Sequence, residues 1–244
     1  LAIYAISDLH LSFNKPVDLF DEIDPKRDQH KPMDVFGWER HYERIRDCWL
    51  KTVGPDDTVL IPGDISWAMR LEEARHDFAW INQLPGRKVM SPGNHCYYAH
   101  SKKKVRDALP EGMEWIDADY TLAEGMVVAG TRGWTLPGDR FFKEEEDRRI
   151  YERQVGRLRI ALEMAAKDHP DKEILVMLHF PPLTRSATES GFFELLKEFG
   201  VRLCIFGHMH GKAAEEAVQG TVDGVELRLV ACDYLRFCPV LLRK

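Results

Sequence analysis

Thr58-Val59-Leu60-Ile61-Pro62-Gly63-Asp64 decides the fold. Four strand-favouring residues are cut off by Pro and Gly, and a carboxylate follows. A brief apolar run bounded by turn residues reads as a buried strand. Its acid falls beyond the strand's carboxyl end, where open α/β sheets keep their sites. The same arrangement recurs on both sides of it. Residues 1–7, 87–90, 126–130, 174–178 and 201–206 are also short runs rich in Val, Ile or Leu. Asp8 and His10 follow the first of these, Asn94 and His95 the second, and Arg132 the third. His179 follows the fourth, and His208 with His210 the last.

Between the strands the apolar period changes to three and four. Trp38, Tyr42, Ile45, Trp49 and Val53 share one helical face, and Gly54-Pro55 gives a stop signal. Residues 70–83 and 191–199 predict shorter helices. A long helix over 143–167 carries Ile150, Leu158, Leu162 and Ala165 on one face and many Arg and Glu elsewhere. Asp223-Gly224 predicts a hairpin, and a last strand is expected near 239–243. Strands alternating with helices, then a late hairpin, predict an α/β class with a mixed sheet system covered by helices. No linker interrupts residues 1–244, which read as one domain.

The 244 residues are 44% hydrophobic and 30% charged, a globular composition able to bury a core without staples. A net charge of −6 disfavours broad attraction to nucleic acid or anionic membrane. No apolar run approaches the roughly 20 residues that span a bilayer. Cys48, Cys96, Cys204, Cys232 and Cys238 are odd in number and lack a CxxC spacing. They read as free thiols of a reducing compartment, and the expected location is the cytoplasm.

Seven of the strand-end residues are metal-ligand types: Asp8, His10, Asp64, Asn94, His179, His208 and His210. Side chains two apart on an extended strand point the same way, so Asp8-x-His10 and His208-x-His210 each aim two ligands into one cleft if the backbone stays extended. Carboxylate oxygen with imidazole nitrogen suits Mn, Fe, Zn, Co or Ni. Two such ions can be bridged by a carboxylate, for which Asp64 is the natural candidate, and can clamp a phosphoryl group. A small phosphorylated substrate is the expected partner; the sequence leaves the oligomeric state open.

In this order, the DxH, GD, GNH, HxPP and GHxH clusters resemble those of the calcineurin-like metallophosphoesterases, from Asp8 to His210. The resemblance implies a four-layer sandwich of two mixed β-sheets flanked by helices. It implies two divalent ions, Mn foremost, with Asp8, His10, Asp64 and His210 on the first. Asp64, Asn94, His179 and His208 would hold the second. It implies hydrolysis of a phosphate mono- or diester by a metal-bound hydroxide, with His95 contacting the phosphate and assisting the leaving group. The stretches GDISWAM (63–69), LPG (84–86), GNH (93–95) and GTRGW (130–134) are similar to a group of bacterial predicted phosphohydrolases. Nucleotide pyrophosphatase, nuclease and non-catalytic scaffold are the alternative activities of such a fold.

Several residues outside the ligand set carry two readings each. Arg132 would grip a phosphate oxygen or pair with the acidic helix that follows. Trp134 would stack a base or pack. Lys102, Lys103, Lys104 and Arg106 would draw an anion or line a solvated helix face. Arg148, Arg149, Arg153 and Arg157 would mostly pair along their own helix. Cys96 would be inert or an oxidation-sensitive thiol. The echo of Lys15-Pro16-Val17-Asp18-Leu19-Phe20 in Lys31-Pro32-Met33-Asp34-Val35-Phe36 would be a surface duplication or a paired flap beside the site.

Overall fold

The central strands are apolar on both faces because both faces are covered. A computed structural model describes residues 1–244. It contains eleven strands: β1 (Ile3–Ala5), β2 (Thr58–Pro62), β3 (Arg87–Ser91), β4 (Met113–Trp115), β5 (Asp119–Ala123), β6 (Met126–Thr131), β7 (Ile174–Leu178), β8 (Leu203–Phe206), β9 (Gly220–Val222), β10 (Val225–Leu229) and β11 (Val240–Arg243). The helices are α1 (Pro25–Asp28), α2 (His41–Thr52), α3 (Leu71–Asn82), α4 (Lys102–Ala108), α5 (Glu144–Asp168) and α6 (Gly191–Glu198).

One sheet has the order β11-β1-β2-β3-β4 and the other β5-β6-β7-β8-β10-β9. Strands β1 to β4 run parallel, as do β6, β7, β8 and β10. The antiparallel strands β11, β5 and β9 sit at sheet edges. Alternate residues of each central strand serve two cores. On β2, Val59 and Ile61 pack under α2 and α3, while Leu60 faces the other sheet. On β7, Val176 and Leu178 pack under α5 and α6, while Leu175 and Met177 face inward. The inter-sheet layer joins Ile3, Ala5, Leu60 and Val89 to Val128, Met177, Ile205 and Val230. This is the expected two-sheet sandwich. No helix is long and apolar enough to cross a membrane.

Three expectations need correction. Cys48 and Cys238 are joined by a disulfide, with Cα atoms 5.2 Å apart and 190 residues between them in sequence. Only folding brings the last turn of α2 onto the segment before β11, so sequence spacing could not reveal the pair. Cys96, Cys204 and Cys232 are free and buried. On α5, Tyr151 and Gln154 are buried where Ile150 is only partly so. The edge strands β4 and β5 were not expected: β4 has three residues, and β5 is largely polar with only Ala123 buried. Edge strands need no apolar pattern on the uncovered side.

Candidate metal centre

The parallel strands of both sheets direct their carboxyl ends to one edge of the sandwich. Asp8 and His10 follow β1, Asp64 follows β2, and Asn94 and His95 follow β3. Arg132 follows β6, His179 follows β7, and His208 and His210 follow β8. Beyond the named strands, Ser7 pairs with Ala231, so the two sheets are stitched together at this edge.

The ligand loops are not extended, which corrects the expected alternation. Asp8, His10, Asp64 and His208 have φ values of 60°, 44°, 48° and 69°. The left-handed region costs an L-residue roughly 1–2 kcal/mol, and such strain persists where neighbours over-determine the backbone. Here Asp8 N–H donates to Gly63 O at 3.0 Å and His10 N–H to Asp64 O at 2.9 Å. Turns, not pleats, aim these side chains. Two glycines permit the close approach. A Cβ on Gly93 would strike the Asp64 carboxylate, and one on Gly207 would strike Asp8 and Ser7.

All seven predicted ligands come together. Asp64 Oδ2 lies 3.3 Å from His179 Nε2 and 3.9 Å from His10 Nε2. Asp8 Oδ1 lies 3.2 Å from His210 Nε2 and 4.0 Å from His179 Nδ1. Asn94 Oδ1 lies 2.8 Å from His179 Nε2 and 2.9 Å from His208 Nδ1. Two compact groups arise, Asp8–His10–His210 and Asp8–Asp64–His179, each with ligand atoms within 4.8 Å of one another.

The donor chemistry fits cations. His179 Nδ1 faces the Pro62 carbonyl at 3.1 Å, which can only accept, so Nδ1 carries the proton. A neutral ring then turns its Nε2 lone pair toward the Asp64 carboxylate. That contact needs a proton or a cation between the two atoms. Burial opposes a charged His179, but Asp64 and Asp8 outweigh it and raise its pKa. Burial likewise works against His210, yet Asp8 and Asp233 push it up to about 10. His10 and His208, held down mainly by burial, fall to about 3 and are neutral at pH 7, the form in which an imidazole can bind a metal. Burial also penalises the Asp8 carboxylate, but His210 and His179 draw its pKa down to about 2. His10 Nδ1 is buried with no hydrogen-bond partner.

His95 stands at the rim. Its N–H donates to Asp64 Oδ1 at 2.8 Å, and its Nδ1 lies 3.0 Å from the Tyr97 hydroxyl. Its ring is 4.2 Å from that of Trp67, which in turn stacks on His10 at 4.7 Å. Lys31 lies over the Trp67 ring at 3.2 Å. The second copy of the repeated loop therefore borders the site. The first does not: its Lys15 pairs with Asp28 at 2.8 Å.

Arg132 reaches a different place from its neighbours. Its carbonyl accepts from His179 and Phe180 N–H groups, both at 3.0 Å, so its backbone is fixed beside the centre. Its guanidinium lies over Trp134 at 4.5 Å and lines a cavity behind the Asn94 loop, with no ion pair to α5. Trp134 donates to Asp147 at 3.0 Å and packs on Phe180 at 5.4 Å. Lys102 and Arg106 both pair with Asp119, so these two hold structure. Cys96 is buried, and burial pushes its thiol up to about 11, the inert alternative.

Two supporting acids escaped the sequence reading. Asp233 accepts from His210 Nδ1 and from Gly211 N–H, both at 2.9 Å. It follows β10 as Asp64 follows β2, a positional signal that was present in the sequence. Asp77 on α3 is wholly buried and accepts from the Ser66 hydroxyl and from Phe13 N–H, tying the β2 loop to the β1 loop. It looks like any polar position of an amphipathic helix, so the sequence carries no sign of it.

Residues 1–212 match the family described as calcineurin-like phosphoesterase. Gene 66 protein of Mycobacterium phage L5 is 35% identical over 89 residues, 36% of this chain and 37% of that protein. The matched stretch therefore spans well under half of that relative. Phosphopantetheinyl hydrolase (PptH) from Mycobacterium tuberculosis superposes with a TM-score of 0.55 at 15% identity, covering 100% of this chain and 95% of that one. TT1561 of Thermus thermophilus gives a TM-score of 0.53 at 14% identity, covering 99% and 97%. These two structures share the fold.

Proposed function

Because the chain belongs to the calcineurin-like phosphoesterase family, we propose that it hydrolyses a phosphate mono- or diester at a centre of two divalent cations. Asp8, His10, Asp64 and His210 would hold one, and Asp64, Asn94, His179 and His208 the other. Mn is the first candidate metal, with Fe, Zn, Co and Ni as alternatives. The observation that carries this reading is the position of Asp64 Oδ2 between His10 and His179, one imidazole from each set. Asp8 stands in both compact ligand groups, which makes it a rival for the shared position. Its two oxygens, however, already accept from His208 N–H at 3.2 Å, and Oδ2 also accepts from Ser7. Asp64 Oδ2 accepts no backbone or hydroxyl hydrogen bond, which favours Asp64 as the bridge.

Cations bound there would supply a water of lowered pKa and positive charge for the phosphoryl oxygens. The chain's own groups do the rest. With the Tyr97 hydroxyl as donor to His95 Nδ1, 3.0 Å away, the ring proton would stand on Nε2 and could pass to a departing oxygen. The Arg132 guanidinium lines the cavity behind the Asn94 loop instead. A cavity of about 500 Å³ lined by Trp134, Phe141 and Phe180 extends from His208 and supports a small ester as substrate. Net charge −6 argues the same way against nucleic acid. The test is turnover against a panel of phosphate mono- and diesters, with each metal restored to chelator-stripped protein. Hydrolysis of at least one ester, dependent on added metal, is expected. Inertness of metal-loaded protein toward all of them would leave a non-catalytic scaffold.

A further inference from the structure

The cavity behind the Asn94 loop is built differently from the rest of the surface. It measures about 260 Å³ and is lined by Pro92, Gly93 and Cys96 on one side. Arg132, Arg153 and Arg157 line the other, beside Asp117 and Gln154. Elsewhere on α5, Arg148 holds Glu144 at 2.7 Å and Arg159 holds Glu198 at 2.7 Å, while Arg149 is exposed and has no carboxylate partner. The expected pairing along the helix fails for the two that face the cavity. Arg157 reaches off α5 to Asp117, and no carboxylate pairs with Arg153. Arg132 Nε is buried with no hydrogen-bond partner. Gln154 is 6% exposed and meets Thr131 Oγ1 at 2.9 Å with one end of its amide, leaving the other end to the cavity it lines. Three guanidiniums thus surround a hollow that offers one carboxylate.

We propose that this cavity is a second anion site, which takes a phosphate group on the guanidiniums of Arg132, Arg153 and Arg157. Guanidinium forks match phosphate oxygens two bonds at a time, and a dianion would relieve the crowding of like charge. The volume is ample for a phosphate. The site shares Gly93 with the metal loop, one residue from Asn94, and Arg132 is held by the backbone of His179. The phosphate is either a second one on the substrate or free inorganic phosphate. The first of these sources rests on the phosphoesterase reading; the binding itself does not.

Equilibrium dialysis of radiolabelled inorganic phosphate against the metal-loaded full chain tests the site. The wild type should bind two phosphates per chain, one at the metals and one in the cavity. Arg153→Glu should lose one, weakened at least tenfold, and Arg153→Lys should restore part of it. Arg149→Glu, on the same helix but outside the cavity, should bind as the wild type does. Arg153 is exposed, so these variants should fold, and equal thermal unfolding temperatures check that. Unchanged stoichiometry and affinity in Arg153→Glu overturn the proposal, whether or not any ester is hydrolysed. The source follows from KM for thymidine 3′,5′-bisphosphate relative to thymidine 5′-monophosphate. A ratio raised tenfold or more by Arg153→Glu identifies the substrate's second phosphate. A fixed ratio with the cavity phosphate lost identifies free phosphate.

Discussion

Removing Asp233 should loosen one metal without touching any ligand. Its carboxylate fixes His210 by one oxygen and Gly211 N–H by the other, each at 2.9 Å. The Nδ1–H bond leaves His210 Nε2 aimed at Asp8, 3.2 Å away. Asp233→Ala cuts both bonds and frees the ring to rotate. Asp233→Asn keeps an acceptor for one donor but turns an NH2 against the other, so it should fall between Ala and wild type. Groups that orient a ligating histidine are typically worth 10–100-fold in metal affinity, or about 1.4–2.7 kcal/mol. Calorimetric titration of Mn²⁺ into chelator-stripped protein reads this directly. The weaker site should lose about that much in Asp233→Ala, with the other unchanged. Wild-type affinity in Asp233→Ala would refute the positioning role. A loss equal to that of His210→Ala would mean Asp233 acts as a ligand itself.

Three further outcomes are expected. His95→Ala should lower kcat by about 10²–10⁴-fold, the usual worth of a proton-transfer group, while metal content by mass spectrometry stays at the wild-type level. Gly207→Ala should lower both metal affinity and the thermal unfolding temperature, because the new Cβ meets Asp8 and Ser7; overpacking of this kind costs roughly 1–3 kcal/mol. Burial raises the Asp77 carboxyl to about 7, so its contribution to stability is full below the unfolded value of 3.8 and is lost as pH rises through about 7. Asp77→Asn should therefore gain about 3 kcal/mol on the wild type between pH 5 and pH 8, read by urea unfolding; a stability difference that does not change with pH would contradict it.

The central sheet positions and the candidate ligands that follow them were legible because each short apolar run ends in a turn and a polar residue, and because the runs are buried on both faces. TVLIPGD carries that pattern whole. What was hidden depends on long-range packing. Neither Cys48 nor Cys238 carries a local sign of the other, and Asp77 resembles a solvated helix position. The left-handed turns at Asp8, His10 and His208 were invisible because nothing in a DxH or HxH string distinguishes an aimed turn from a strand. Arg153 and Arg157 were misread for a related reason: a helix rich in both charges suggests pairing along itself, and only the fold shows Arg157 reaching to Asp117 and Arg153 left over. The two copies of the repeated loop look equal as strings; Lys31 over Trp67 shows that only the second one borders the centre.

The central claim is that Asp64 joins two cations in one centre. Manganese content and the electron paramagnetic resonance spectrum of Mn-loaded protein, wild type beside Asp64→Ala, test it most directly. Two Mn per wild-type chain with an exchange-coupled signal are expected, and Asp64→Ala should hold at most one with the coupling gone. One uncoupled Mn in the wild type, or two coupled Mn retained in Asp64→Ala, would contradict it.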